Sequence, residues 1–173
     1  MPILTYWLTP AEPARSYFAS LISDLARRFD APVFEPHLTL YATKAGGEDA
    51  EELLARTVAG RGAIPLCTTG VGFSDEFTKT VFVQFQPSEE LIRWSRKLRD
   101  ASAFQNEYEL NPHLSLIYET LPPEIKGEIA GSLSLPFHEV HFDSAKAVIT
   151  PDQIEAREDV EAWRVVASQK LSG

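Results

Sequence analysis

The sequence predicts an α+β fold on a duplicated, bilobal plan: two mostly antiparallel sheets, helices on their outer faces and a central groove. Three observations carry that expectation. The strings Pro36-His37-Leu38-Thr39-Leu40 and Pro112-His113-Leu114-Ser115-Leu116 are near copies of one another. A strand, a closing proline and an amphipathic helix precede each string in the same order. The closing proline also stands at nearly the same distance ahead of the histidine, Pro10 before His37 and Pro87 before His113.

Taken in order, residues 2–9 read as a strand closed by Pro10. Tyr17, Phe18, Leu21, Ile22, Leu25 and Phe29 then recur at helical spacing across 13–29. A strand from Val33 to Ala42 holds the first histidine string. A helix near 48–59 follows, with the acidic run Glu48 to Glu52 at its start, and then a strand from Ile64-Pro65-Leu66 to Phe73. The second copy opens with Val81–Phe85, closed by Pro87. Ser88 is placed to cap a helix through Leu91, Trp94 and Leu98, and Glu89 and Glu90 favour its N-terminal end. The strand opened by Pro112 follows, then a helix at 122–133. Leu135-Pro136-Phe137 leads into a strand to Phe142, with another through Ile149. A last strand, Trp163-Arg164-Val165-Val166-Ala167, is expected to close the second half as 80–86 closes the first. Gly46-Gly47, Gly60-Arg61-Gly62 and Pro151–Asp159 read as the flexible connections. Residues 1–173 are thus expected to form one domain of two pseudo-symmetric lobes.

Composition narrows the function. The chain has 173 residues, 44% hydrophobic and 24% charged, as in globular proteins. A formal net charge of −9 disfavours binding to long nucleic acid, which needs lysines and arginines to neutralise phosphates. A small phosphate in a local pocket remains compatible with it. Cys67 is the only cysteine, which leaves no intrachain disulfide and no cysteine-built zinc site. No apolar run has the length of a membrane span, and the N-terminus lacks a basic leader. A cytoplasmic monomer with no cofactor, metal or membrane partner is the expectation.

The chemistry sits on the two strings. Side chains alternate along a strand, and residues two apart share a face about 6–7 Å apart. Leu38 and Leu40 therefore turn into the core, and His37 and Thr39 turn out together. Leu114 and Leu116 mirror the first pair, and His113 and Ser115 the second. One such histidine would be an ordinary half-exposed strand residue. Two at matched places in a duplicated chain offer two imidazoles and two hydroxyls across one groove. An imidazole with a pKa near 6.5 serves as base or acid around neutrality, and hydroxyls donate to non-bridging phosphate oxygens.

These residues resemble the two-histidine (2H) phosphoesterase superfamily, whose signature is a pair of His-x-(Thr/Ser)-x motifs in a duplicated bilobal fold. Within it the chain looks most like the cyclic phosphodiesterase group. The features that carry the likeness are Tyr6-Trp7-Leu8, Val33-Phe34-Glu35-Pro36-His37-Leu38-Thr39-Leu40 and Asn111-Pro112-His113-Leu114-Ser115-Leu116-Ile117-Tyr118, and it runs from residue 3 to about 168. The resemblance implies hydrolysis of a small cyclic phosphate to a monoester, the substrate being a nucleoside 2′,3′-cyclic phosphate or ADP-ribose 1″,2″-cyclic phosphate. It implies His37 and His113 as the acid–base pair, Thr39 and Ser115 as phosphate ligands, and Trp7 and Tyr118 as aromatic lining. Strict alternation puts Tyr118 on the opposite face from His113, so it reaches the site only where the strand ends or bulges. Alternation alone favours Tyr41. Phe77 and Lys79 are expected to border the groove. Disulfides, as in plant members, are impossible with one cysteine.

Other signals carry less. His138-Glu139-Val140-His141 is not a His-Glu-x-x-His zinc motif, because Phe142 holds the last position, and its histidines fall on opposite faces of a strand. Gly70-Val71-Gly72 lacks the rest of a dinucleotide loop. Two other readings keep the groove: an RNA-end 2′,3′-cyclic phosphodiesterase or ligase-like enzyme, against which the charge counts, and a non-catalytic nucleotide-binding module, which has no need of two imidazoles.

Overall fold

A computed structural model describes residues 1–172. The elements run β1 (Ile3–Pro10), α1 (Ala14–Phe29), β2 (Leu38–Lys44), α2 (Ala50–Val58), β3 (Ile64–Phe73), β4 (Val81–Phe85), α3 (Glu89–Ala101), β5 (His113–Ile117), α4 (Pro123–Ser132), β6 (Glu139–Thr150), α5 (Arg157–Glu161) and β7 (Arg164–Lys170). This is the α+β class the pattern predicts, and every strand pairing is antiparallel. Two of the helices start where an N-cap side chain satisfies a free N–H group. Asp49 accepts from Glu52 N at the head of α2, and Ser88 accepts from Leu91 N at the head of α3.

The duplication appears in the pairing. β1 pairs with β2, and β4 pairs with β5 in the same sense. The third strand of each half is exchanged: β6 lies beside β1, and β3 lies beside β4. The exchange makes two lobes, β1–β2–β6 and β4–β5–β3, and two pairings join them, Leu38 with Leu114 between β2 and β5, and Ile64–Cys67 with Glu139–Phe142 between β3 and β6. The two expected sheets are thus joined into one seven-strand hydrogen-bonded system through the β2–β5 and β3–β6 pairings. The place that β4 takes beside β3 is taken beside β6 by β1, so β7 is an added edge strand and not the second half's counterpart of 80–86.

Several boundaries differ from expectation for physical reasons. The first histidine strand begins at Leu38, not Val33, because residues 31–37 have no ladder partner and Pro36 lacks an N–H to donate. The two strands expected between 137 and 149 are one, β6. Ser144 stays in the ladder, paired with Thr9 of β1 and Lys170 of β7; Asp143 is the residue skipped at the irregularity facing β1, and Lys170 Nζ donates to it at 2.8 Å. Pro151–Asp159, read as flexible, contains the start of α5, where Asp159 accepts from the N–H groups of Glu155 and Ala156.

The core fills the space between the sheet and the helices. Tyr6, Phe18, Ile22, Leu38, Leu40, Trp94, Leu114, Leu116 and Phe142 are all fully buried. Each aliphatic or aromatic side chain so buried contributes roughly 1.5–3 kcal/mol of hydrophobic stabilisation before entropy is charged against it. Among the described residues no helix is long and apolar enough to cross a membrane.

Candidate active site

Each histidine string carries a β-bulge at the same point. Tyr6 faces Tyr41 and Trp7 faces Thr39, so Leu40 has no partner on β1. Val81 faces Ile117 and Phe82 faces Ser115, so Leu116 has no partner on β4. The two bulged leucines occupy equivalent positions in the duplication. One extra residue flips the alternation beyond it. His37 and Thr39 face the groove before the first bulge, and Ala42 faces it afterwards; His113 and Ser115 face it before the second, and Tyr118 afterwards. The backbone carbonyl of Leu40 accepts the Ser95 hydroxyl of α3 at 2.7 Å, a tie from the second half that holds the first bulge.

The bulge corrects the alternation reading. Tyr41 is fully buried on the far side, where its hydroxyl accepts from Asn106 N at 3.3 Å. Tyr118 lines the groove.

All six residues singled out from the sequence, Trp7, His37, Thr39, His113, Ser115 and Tyr118, line one cavity of about 210 Å³. Leu38 and Leu114 are the pair that brings the two strings together. That register sets His37 opposite Ser115, and Thr39 opposite His113.

The imidazoles are held alike. His37 Nδ1 lies 2.7 Å from the Glu35 carbonyl oxygen, and His113 Nδ1 lies 2.7 Å from that of Asn111. A carbonyl only accepts, so Nδ1 carries the proton in both rings. The neutral tautomer therefore leaves each Nε2 with a free lone pair. Each tether is itself anchored. Lys146 of β6 donates to both carboxylate oxygens of Glu35, at 2.5 and 2.8 Å. Gln84 of β4 donates to the Asn111 side chain and to the Pro112 carbonyl, each at 2.9 Å.

The surroundings are not alike. His37 stacks on Trp7 with ring centroids 3.7 Å apart, and the edge of Trp163 stands 5.6 Å away. Burial, with the charge of His113 adding to it against the Glu35 hydrogen bond, holds the His37 pKa down at about 4. His113 is half-buried, beside the edge of Phe82 at 5.7 Å. Its pKa is also lowered, first by burial and then by Lys79, while the Asn111 hydrogen bond and Glu76 act the other way. Both rings are therefore neutral in the free protein at neutral pH.

The hydroxyls differ too. Ser115 donates to the Thr78 carbonyl at 2.6 Å. The buried Tyr118 hydroxyl, whose pKa burial raises, lies beside Ser115. Phe77–Lys79 forms a short 3-10 turn bordering His113, with Lys79 Nζ 4.6 Å from the Phe82 ring centroid. Of this turn Thr78, and not Phe77 or Lys79, lines the cavity.

A family model described as "Cyclic phosphodiesterase-like protein" matches residues 1–171. The chain belongs to the cyclic phosphodiesterase-like family. The curated cyclic phosphodiesterase of Arabidopsis thaliana is 23% identical over 174 residues, covering 98% of this chain and 96% of the relative. Among solved structures, E. coli LigT complexed with phosphate matches at a TM-score of 0.58 and 15% identity, covering 98% of this chain and 97% of that one. E. coli LigT complexed with 3′-AMP matches at 0.59 and 15%, over the whole of both chains. These likenesses give the cyclic phosphodiesterase-like chain the fold of the 2H phosphoesterases.

Sequence reasoning missed other walls of the cavity: Thr5, Ala42, Tyr108, Thr150, Ile154 and Trp163. The sequence pattern places Trp163 only in a closing strand. It in fact precedes β7 and meets Trp7, Phe34, His37 and Tyr118 edge-on. No local motif marks these residues, since each reaches the groove by tertiary packing. His138 and His141 lie elsewhere, and His141 bonds to Glu139 at 2.9 Å. Among the described residues no cluster of three His, Cys, Asp or Glu side chains is placed to hold a metal ion.

Proposed function

We propose that this member of the family hydrolyses small cyclic phosphates to monoesters without a metal, with His37 and His113 as the acid–base pair. The observation that supports this most is the matched tethering of the two rings. Each Nδ1 is committed to a carbonyl two residues upstream, which leaves two Nε2 atoms for one groove.

The chemistry then balances on the pair. One neutral Nε2 takes a proton from water as the water oxygen bonds to phosphorus. The bond from phosphorus to one ring ester oxygen breaks, and the second imidazole, protonated, gives that oxygen its proton. The pair must enter the reaction with one proton. A phosphate anion in the groove favours it, because a nearby negative charge raises an imidazole pKa that burial has lowered. Thr39 and Ser115, each across from the other half's imidazole, donate to the non-bridging oxygens. Ser115 exchanges its bond to the Thr78 carbonyl for one to phosphate.

The substrates the pattern favours are nucleoside 2′,3′-cyclic phosphates and ADP-ribose 1″,2″-cyclic phosphate. A panel of these, with a cyclic-phosphate-ended RNA beside them, separates the readings when assayed in EDTA with phosphorus NMR of the product. Turnover of the small substrates to monoesters that survives EDTA is expected. Activity lost to the chelator, or confined to the RNA, overturns the proposal.

A further inference from the structure

The two halves of the groove are equivalent in backbone and unequal in filling. At the position after the bulge the second half carries Tyr118 and the first half carries Ala42. Thr5, opposite Ala42, corresponds to Thr80 of the second half. Thr80 is buried, and its hydroxyl donates to the carbonyls of Phe77 and Glu119 at 2.9 and 2.8 Å. Tyr118 and the 77–79 turn therefore close the second half's side. On the first half the equivalent space is open. Thr5, Ala42, Thr150, Tyr108, Ile154 and Trp163 line the cavity there.

From this asymmetry we infer that the nucleoside part of the substrate binds over the first half, with its base between Trp163 and Tyr108 and its ribose over Thr5, Ala42 and Thr150. The inference rests on the hydrolase reading of the same groove and adds where and how the organic part is held. The chemistry of the lining matches a nucleoside. Threonine hydroxyls suit sugar oxygens, while an indole and a phenol ring offer flat apolar faces to a base. The Tyr108 hydroxyl is an un-ionised donor, its pKa pushed up to about 12 by burial. A cavity of about 210 Å³ is below the roughly 300–1,000 Å³ that holds a drug-sized ligand, which suits a ligand of nucleotide size or smaller.

The test compares uridine 2′,3′-cyclic phosphate with glycerol 1,2-cyclic phosphate, which has the reacting ring and no base. Ala42→Leu fills this space, and Ile154→Asp, on a surface loop, sets a carboxylate at the base edge. Each variant is expected to lower the ratio of kcat/KM for the uridine substrate over the glycerol substrate by tenfold or more. Calorimetric binding of uridine 3′-monophosphate is expected to weaken by a similar factor. An unchanged ratio with unchanged nucleotide affinity in both variants overturns the subsite and leaves the hydrolase reading intact. A wild type that binds the monophosphate, loses that affinity in the variants and turns over neither cyclic phosphate upholds the subsite and refutes the hydrolase. A wild type that neither binds nor turns over refutes both.

Discussion

Leu38 and Leu114 are register partners across the two halves, and each directly follows a histidine. This is the one rung between β2 and β5. Both leucines are fully buried, so neither strand can slip without turning a histidine into the core. The geometry of the site depends on that rung and on the bulges after it.

The pH dependence of catalysis follows from the lowered histidines. In the proposed mechanism hydrolysis needs one proton on the pair, and the free protein holds one only between the pair's two pKa values. His37 sits at about 4, and His113 below its ordinary 6.5. The profile of kcat/KM is expected to be bell-shaped with both limbs on the acid side of 6.5. A maximum above pH 7.5 would contradict the burial of the two rings.

Stability responds to the same burial. The folded-state pKa of His37 lies below the unfolded value, so the folded state binds fewer protons between pH 6.5 and about 4. Its contribution is fully present above 6.5 and is lost as pH falls through that window, at about 1.4 kcal/mol per pH unit. His37→Gln cannot titrate. Urea unfolding at pH 7 and pH 5 is expected to show wild type losing about 2 kcal/mol more than the variant. Equal losses would mean that His37 is not desolvated.

Trp7 is the lid on that ring. Replacing it in Trp7→Leu removes the stacked indole and lets water reach His37. The His37 pKa is expected to rise from about 4 toward 6.5, read from imidazole NMR titration, and the acid limb of the activity profile should move up with it. An unmoved resonance would assign the shift to other neighbours.

Lys146 tests the tether. It holds the Glu35 carboxylate, and the Glu35 carbonyl holds His37 Nδ1. Lys146→Met frees residues 33–36, and kcat is expected to fall about tenfold with little change in KM, because a mispositioned imidazole costs rate more than binding. A rise in KM at constant kcat would instead place Lys146 in substrate binding.

Much of this was legible in the sequence because the fold is written twice. The two Pro-His-Leu strings and the prolines ahead of them mark equivalent strands, and the helical stripe of Phe18, Ile22 and Leu25 needs no tertiary information. The bulges were not legible. An unpaired Leu40 or Leu116 is fixed by which β1 or β4 residue stands opposite, and an isolated strand looks the same with or without it. That one feature decides between Tyr41 and Tyr118. Trp163 was missed for a related reason. Its sequence neighbours describe an edge strand, while its groove contacts come from residues far away in the chain, Trp7, His37 and Tyr118.

The central claim is that His37 and His113 form one acid–base pair acting without a metal. The most direct test is phosphorus NMR of uridine 2′,3′-cyclic phosphate incubated in EDTA with wild type, His37→Ala and His113→Ala. The wild type is expected to replace the cyclic resonance with that of a monoester, and each variant to be slower by about 10²–10⁴. Either variant within a few-fold of wild type, or a wild type silenced by EDTA, would contradict the claim.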